Sequence, residues 1–233
     1  MVVEASWRQE SDGKDGPVHG RLCLDSGERE RIVDERHAQR LFDLLFYRFE
    51  AEGTSLFALL DAARDPRIHE LLRRSGLEYE CLFTGQLSVG LLAASPYLLK
   101  IVQGSTTCQR LIEQGWGQSW GLFLAARAGM REVRRHLRTL LEVRTQDRKK
   151  LFFRYYDPRV LRIFLPTCDA VQFPQVFGPI QRFDIEAPDS SQLLRFRLIP
   201  ESSAPATLRS WTYPLSESQD AEDDRGKSLS QGG

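Results

Sequence analysis

The sequence predicts a single α/β or α+β domain in which helices pack on a mixed β-sheet, and three observations support this. Short apolar runs alternate with amphipathic helical segments at intervals of about 20 to 25 residues. Two junctions, Asp65-Pro66 and Asp157-Pro158, have the capping aspartate and first-turn proline typical of a helix start. Beyond Pro200 the chain is rich in Ser, Pro and acidic residues. We therefore expect a partly ordered N-terminal extension over 1–34, one domain over 35–200, and a disordered tail over 201–233.

The N-terminal extension contains one short strand candidate, at 19–25. The sequence of the first half of the domain then predicts two helices and two strands. Leu41, Leu45 and Phe49 recur at helical spacing, which predicts a helix that ends at Gly53. The apolar run 55–60 predicts a buried strand and 66–76 a helix closed by glycine. A second strand is expected at 79–83.

The second half predicts further elements of both kinds. A Thr cap and a Gly stop indicate a helix over 106–115, and an apolar run indicates a strand over 119–125. The segment 129–141 is the clearest amphipathic helix, because Met130, Val133 and Leu137 share a face that excludes its arginines. Strands are expected at 151–156, within the main sheet, and at 180–187 and 193–199.

Composition excludes several classes of function. The formal net charge is zero, so no overall polycation indicates nucleic-acid or membrane binding. The four cysteines, Cys23, Cys81, Cys108 and Cys168, lack metal-ligand spacing, and we interpret them as buried thiols of a reducing compartment. The first residues are too polar for a signal peptide, and no apolar run approaches the about 20 residues of a membrane helix. We expect a soluble cytoplasmic protein with no cofactor, no metal and no membrane insertion.

Residues 117–121 match G-x-S-x-G, the motif that presents the nucleophile of α/β-hydrolases. In those enzymes a strand precedes the serine and a helix follows it, whereas here a predicted helix precedes Ser119 and a strand follows it. His136 is the only histidine after Ser119. These features favour a turn before a core strand, and a serine hydrolase using Ser119 remains the alternative.

The region 127–154 contains ten Arg or Lys and three acidic residues, a local net charge of +7. A solvated helix face, a surface for an acidic protein partner and an RNA-binding face are all compatible with this charge. His136 lies in the same region, where we expect it to bind a backbone group or carboxylate at a helix–sheet boundary. An acid–base role with Asp157 or Asp61 is the alternative.

The two Asp-Pro junctions predict capped helices with arginines beside them. Arg64, Arg154 and Arg159 could pair with the two capping carboxylates or with Asp61 in a half-buried network. No glycine-rich phosphate loop accompanies these residues, which argues against a phosphate site.

Seven blocks in order resemble one known family. They are LFALLDAARDP, CLFTGQL, ASPYLLKI, GWGQSWGLFL, REVRRHLRTLLEV, LFFRYYDPRVL and FGPI, and they run from about residue 55 to 181. Together they resemble the type VI secretion system effector adaptor or chaperone family of the Tap/TEC type, a domain-of-unknown-function family. The chain is shorter after this region than many members of that family.

The resemblance implies a non-enzymatic cytoplasmic adaptor of bacteria. Such a protein binds a cognate type VI effector protein and promotes its loading onto the VgrG-type spike protein. The residues that carry over from the family blocks, for which we expect structural roles, are Asp61, Arg64, Pro66, Pro96, Tyr97, Trp116, Gly117, Trp120, Gly121, His136, Leu137, Arg138, Arg154, Tyr156, Asp157, Pro158 and Arg159.

A cargo-binding protein needs a surface that protects its cargo and also releases it, which favours apolar anchors within a charged rim. For the rim we predict Arg131, Arg134 and Arg135, which lie off the apolar stripe of their helix and suit an acidic partner. The aromatic candidates for anchors are Trp116, Trp120, Phe152 and Tyr155.

Overall fold

The computed structural model describes residues 35–46, 54–144, 150–199 and 206–216. Its helices are α1 (Glu35–Phe46), α2 (Pro66–Arg74), α3 (Val89–Ala93), α4 (Thr106–Gly115), α5 (Met130–Thr139), α6 (Pro158–Phe164) and α7 (Gln172–Phe177), with a 3₁₀ turn at Leu165–Thr167. Its strands are β1 (Ser55–Asp61), β2 (Tyr79–Cys81), β3 (Pro96–Lys100), β4 (Gly121–Ala126), β5 (Glu142–Arg144), β6 (Lys150–Phe152), β7 (Ile180–Glu186), β8 (Gln192–Ile199) and β9 (Thr207–Pro214).

Seven strands form the main sheet in the order β2-β3-β1-β4-β7-β8-β9. The predicted combination of a sheet with packed helices in one domain is confirmed. Every neighbouring pair is antiparallel, so the described sheet contains none of the parallel pairs expected of an α/β fold, and the chain adopts the α+β alternative.

The centre of the sheet is the pair β1 and β4, which is buried on both faces. Leu59 lies opposite Leu122, and Leu60 lies opposite Gly121. A Cβ atom on Gly121 would approach the Leu59 carbonyl oxygen to 2.0 Å, so only glycine fits at this crossing.

Helices cover both faces of the sheet. On one face α1, α2 and α4 bury Leu41, Ile68 and Ile112 against alternate residues of β1, β3 and β4. On the other face α5, α6 and α7 bury their apolar sides, including Leu137 and Phe177, against the intervening residues. The alternation of side chains along each strand thus divides the core into two apolar layers.

The prediction that 151–156 belongs to the main sheet is wrong. Residues 150–152 pair only with β5, in a separate two-stranded hairpin whose Val143 lies opposite Leu151. Leu151 and Phe152 are about half exposed, whereas Tyr155 and Tyr156 are buried. The apolar run that suggested one strand is therefore divided between an exposed hairpin and a core turn.

The expected disorder after residue 200 is wrong for 207–214. These residues form β9, which pairs with β8 from Gln192 opposite Pro214 to Ile199 opposite Thr207. The sheet therefore extends beyond the predicted boundary. The extension 1–34, with its strand candidate at 19–25 and Cys23, lies outside the described residues, as does 217–233.

Candidate functional site

Most of the family-block residues meet at one end of the sheet, where β1 and β7 end and β4 begins. Asp61, the last residue of β1, is 0% exposed. Its carboxylate accepts hydrogen bonds from the Arg154 guanidinium and, at 3.2 Å, from the backbone N–H of Ala63. Arg154 remains about half exposed and lies 5.8 Å from the ring of Tyr156. Of the pairings that the sequence left open for Arg154, the structure shows the one with Asp61.

The two Asp-Pro junctions also have the predicted geometry. Asp65 accepts from the backbone N–H of Arg67 at 2.8 Å, and Asp157 accepts from that of Arg159 at 2.9 Å. The Arg159 guanidinium also donates to Asp157, at 2.6 and 3.0 Å. Burial alone would raise the pKa of Asp157, but the hydrogen bonds from Arg159 outweigh this effect and lower it.

Arg64 and Arg67 behave differently from the prediction. The Arg64 guanidinium donates to the Gln118 carbonyl at a long 3.5 Å, in place of a direct carboxylate pair. Arg67, which the sequence did not single out, forms a two-point pair with Asp65 and lies 5.2 Å from the ring centre of Trp120. Its spacing of two residues from Asp65 matches that of Arg159 from Asp157, a repeated Asp-Pro-Arg pattern that could have identified it.

The Trp116–Gly121 turn closes around Glu186, the last residue of β7. The Glu186 carboxylate accepts from the Gly117 N–H at 2.6 Å and from the Ser119 hydroxyl at 3.0 Å. Gly117 and Ser119 both have positive φ, and the Trp116 indole N–H donates to the Ser190 carbonyl at 2.8 Å. Ser119 thus follows helix α4 and precedes strand β4, the reverse of the order in a hydrolase nucleophile turn.

Glu186 is 5% exposed, and burial raises its pKa, against the opposing effect of the bonds from Gly117 and Ser119. The cavity beside it, lined by Trp116, Trp120 and Phe123, has a volume of about 10 Å³. Such a space holds about one water molecule and no substrate.

His136 binds a backbone group, as the sequence predicted, but it does so at the contact between α5 and α7 and not at a helix–sheet boundary. Its Nε2 lies 2.9 Å from the Val176 carbonyl oxygen and donates to it, since a carbonyl only accepts. A Cβ atom on Gly178 would lie 2.4 Å from the imidazole, so the ring fills the space that this glycine leaves. Burial lowers the pKa of His136, and the bond to Val176 offsets this only in part.

The three rim arginines on α5 do not share one environment. Arg131 and Arg135 are exposed, as expected. The Arg134 side chain is 24% exposed, and its Nε donates to the Cys81 carbonyl at 2.7 Å and lies 3.7 Å from Glu80. Arg138 donates to the Thr84 hydroxyl at 2.9 Å. Part of the basic face therefore binds β2 and the residues after it.

The four predicted aromatic anchors differ in exposure. Trp116, Trp120 and Tyr155 are buried, so these three are core residues and cannot act as exposed anchors. Phe152 is 52% exposed, and its ring centre lies 5.5 Å from that of Phe83.

The profile of the domain of unknown function DUF4123 matches residues 56–175, more than half of the sequence. The chain belongs to the DUF4123 family. Searches of curated proteins and of solved structures found no match.

The DUF4123 region begins in β1 and ends within α7, so the matched residues do not include β7, β8 or β9. Those strands nevertheless complete the sheet, and Glu186 on β7 binds the Trp116–Gly121 turn inside the match. The folded unit is therefore larger than the family match.

Two further findings concern the described part of the DUF4123 chain. No group of three His, Cys, Asp or Glu side chains in it is arranged to hold a metal, and none of its helices is long and apolar enough to span a bilayer. Cys108 and Cys168 are buried free thiols, as predicted, and Cys81 is half-buried and free.

Proposed function

We propose that the protein is a non-enzymatic adaptor chaperone that binds a type VI secretion effector and promotes its loading onto a VgrG-type spike protein. The observation that carries the proposal is the DUF4123 match over 56–175, the region whose ordered blocks resemble the Tap/TEC adaptors. The bacterial cytoplasm is the compartment in which such loading takes place.

The contacts of the polar block residues support a structural role for those blocks. Ser119 donates to Glu186, His136 donates to a backbone carbonyl, and Asp61 accepts from Arg154. A catalytic serine needs a base within hydrogen-bond reach and a site for substrate; Glu186 meets the first condition, but the cavity beside it has a volume of only about 10 Å³. The alternative of a serine hydrolase predicts that a fluorophosphonate probe labels wild type and not Ser119→Ala, and we expect no such difference.

One surface of the described residues combines an apolar anchor with cationic groups, as a releasable cargo site requires. Phe152 contacts Phe83, and the adjacent Thr84 hydroxyl binds Arg138, which brings the β5–β6 hairpin beside α5. We assign effector or spike binding to this hairpin–α5 surface, which comprises Leu151 and Phe152 with Arg131 and Arg135.

Secretion of the effector tests the proposal. In a strain that lacks this protein, the toxin that co-purifies with it should remain in the cell while the apparatus still secretes its tube and spike proteins. Complementation with wild type should restore toxin secretion, and the protein should co-purify with toxin and spike from cell extracts. Wild-type toxin secretion by the deletion strain would contradict the proposal.

A further inference from the structure

Among the described residues strand β9 forms one edge of the sheet, and this edge is longer than the opposite one. It is eight residues long and pairs with β8 along its whole length, and no other described strand pairs with it. The opposite edge, β2, has three residues. Proteins usually shorten, charge or cover their edge strands, because open edges recruit further strands. Arg209 is the only charged residue within β9.

Arginines line up across the strands that lead to this edge. Arg182 on β7 lies opposite Arg197 on β8, and Arg197 lies opposite Arg209 on β9, so all three point to the face that carries α1. Arg182 is buried and forms an ion pair with Asp184. Arg197 and Arg209 are exposed and form no ion pair with any described residue. Like charges that face each other across strands are destabilising, so this row favours an added negative charge.

The same face of β9 offers apolar area between its polar positions. Trp211 lies opposite Arg195, and Tyr213 lies 5.1 Å from the Arg195 guanidinium; both rings are half-buried. An incoming strand would place alternate side chains beside Arg209, Trp211 and Tyr213. Binding by strand addition draws its affinity from backbone hydrogen bonds and its specificity from such alternate contacts.

We propose that the outer edge of β9 binds an extended acidic segment of a partner protein as an added strand, with a carboxylate of that segment directly beside Arg209 and Arg197 one strand further in on the same face. The proposal depends on the sheet edge alone and holds whether or not the protein is a secretion adaptor. The surface is separate from the hairpin–α5 surface, which lies on the opposite face of the sheet.

Two other occupants of the outer edge, the chain's own tail and a second copy, are distinguished from a partner segment by the controls below. The tail after Ser216 is acidic, but Leu215 is buried and its N–H donates to the Ser191 carbonyl at 3.0 Å. This contact continues the β8–β9 pairing to Leu215, and truncation of 217–233 tests whether the tail occupies the outer edge. A second copy paired through β9 would add another Arg197 and Arg209 to the same face without a compensating carboxylate among the described residues.

The test uses the full chain and a fluorescent octapeptide of alternating Glu and Val, with a Lys and Val octapeptide as the charge control. Anisotropy at low salt should show binding of the acidic peptide only. Arg197→Ala with Arg209→Ala should weaken it about fivefold, since the cross-strand charge pair with Arg209 and the longer-range attraction of Arg197 are both lost. Arg73→Ala with Arg110→Ala removes the same charge from the exposed surfaces of α2 and α4 and should leave the affinity within about twofold.

Backbone pairing is tested with the peptide, so that the protein stays unchanged. Two versions carry N-methyl groups on alternate residues, one on each set of amides. In a strand only one set faces β9, so one version should lose binding and the other should retain it. Equal binding by both versions would overturn strand addition.

Two controls test whether the chain's own tail or a second copy of the protein occupies the outer edge of β9. A protein that lacks 217–233 should bind the peptide as wild type does, and wild type should elute as a monomer in size-exclusion chromatography. Binding only after the truncation would assign the edge to the chain's own tail and overturn the proposal. A dimer that the peptide dissociates would assign the edge to a second copy, with the same consequence. No binding by either protein would also overturn it.

Discussion

Glu186 joins two parts of the chain that are far apart in sequence. Its carboxylate accepts from Gly117 and from Ser119, which lies 67 residues away, although burial raises its pKa. Glu186 stabilises the turn because it accepts hydrogen bonds from two donors that would otherwise lack an acceptor. Gly117 and Ser119 are half-buried, and both have positive φ.

Removal of this acceptor should destabilise the turn. We expect Glu186→Ala to lower the free energy of unfolding by about 2 kcal/mol, and Ser119→Ala by about 1 kcal/mol, because the first change leaves two donors unpaired and the second removes one bond. Ser119→Gly should be more stable than Ser119→Ala, since glycine adopts the positive φ of 55° without steric cost. Urea denaturation measures all three, and equal losses for Glu186→Ala and Ser119→Ala would contradict this account.

His136 should make stability depend on pH. Its pKa is lowered in the folded state, so between the lowered value and the ordinary 6.5 the unfolded chain binds more protons. The stability that neutral His136 contributes is therefore complete above about pH 6.5 and is lost as the pH falls through the lowered pKa. The difference in unfolding free energy between wild type and His136→Gln should shrink from pH 7.5 to pH 5.5.

His69→Gln is a control for the pH experiment, because His69 lies on α2 beside Tyr97 and not at the α5–α7 contact. Its difference from wild type should not follow the pattern of His136→Gln. If the His136→Gln difference is constant over this range, the assigned cause is wrong.

At the scale of elements, α5 combines a buried apolar stripe with two kinds of arginine. Met130, Val133 and Leu137 are buried. Arg134 holds the helix to β2 through the Cys81 carbonyl, whereas Arg131 and Arg135 remain exposed. The three arginines are therefore not equivalent, because only Arg134 has a contact that supports the fold.

Substitutions on α5 distinguish the structural role of Arg134 from the proposed binding role of Arg131 and Arg135. Arg131→Glu with Arg135→Glu should leave the melting temperature within about 2 °C and reduce recovery of one partner in co-purification, most strongly at low salt. Arg134→Ala should lower the unfolding free energy by about 1 kcal/mol, because the half-buried Cys81 carbonyl loses a charged donor. Wild-type recovery of both partners by the folded double variant would remove Arg131 and Arg135 from the binding surface.

At the scale of the whole molecule, buried charges on β7 and β8 attach α1 to the sheet. Asp184 is 0% exposed and pairs with Arg195 at 2.6 Å and with Arg182 at 2.9 Å. Arg195 also donates to the Leu44 carbonyl at 2.7 Å, and Arg182 to the Leu45 carbonyl, both near the end of α1. One carboxylate thus compensates two arginines that hold the last turn of a helix.

Asp184→Ala should be the most damaging of these substitutions. Two guanidinium groups would remain buried without their carboxylate, and loss of one member of such a network costs about 3 to 5 kcal/mol. Limited proteolysis should then cleave between α1 and β1 sooner than in wild type. Arg197→Ala, in the next exposed position of the same face, should change stability by less than about 0.5 kcal/mol. Equal effects of the two variants would contradict the role of the network.

Much of the fold could be predicted because its signals are local. The Asp65 and Asp157 caps, the apolar stripe of α5 and the buried run of β1 depend on residues within one or two turns of each other. The helix–turn–strand order around Ser119 could be predicted for the same reason. These features survive in any fold that buries the apolar residues, so the amino-acid sequence alone determined them.

The tertiary structure decided what depends on distant partners. Strand direction, the separation of 150–152 from the main sheet and the ordering of 207–214 each depend on which strand edge is available for pairing, and local pattern does not specify that. Arg182, Asp184 and Glu186 alternate with other residues along β7, so their side chains lie on one face of the sheet. Only the approach of α1, β8 and the Trp116–Gly121 turn determined which partner each of them would bind, because a buried charge takes the acceptors and donors that folding brings to it.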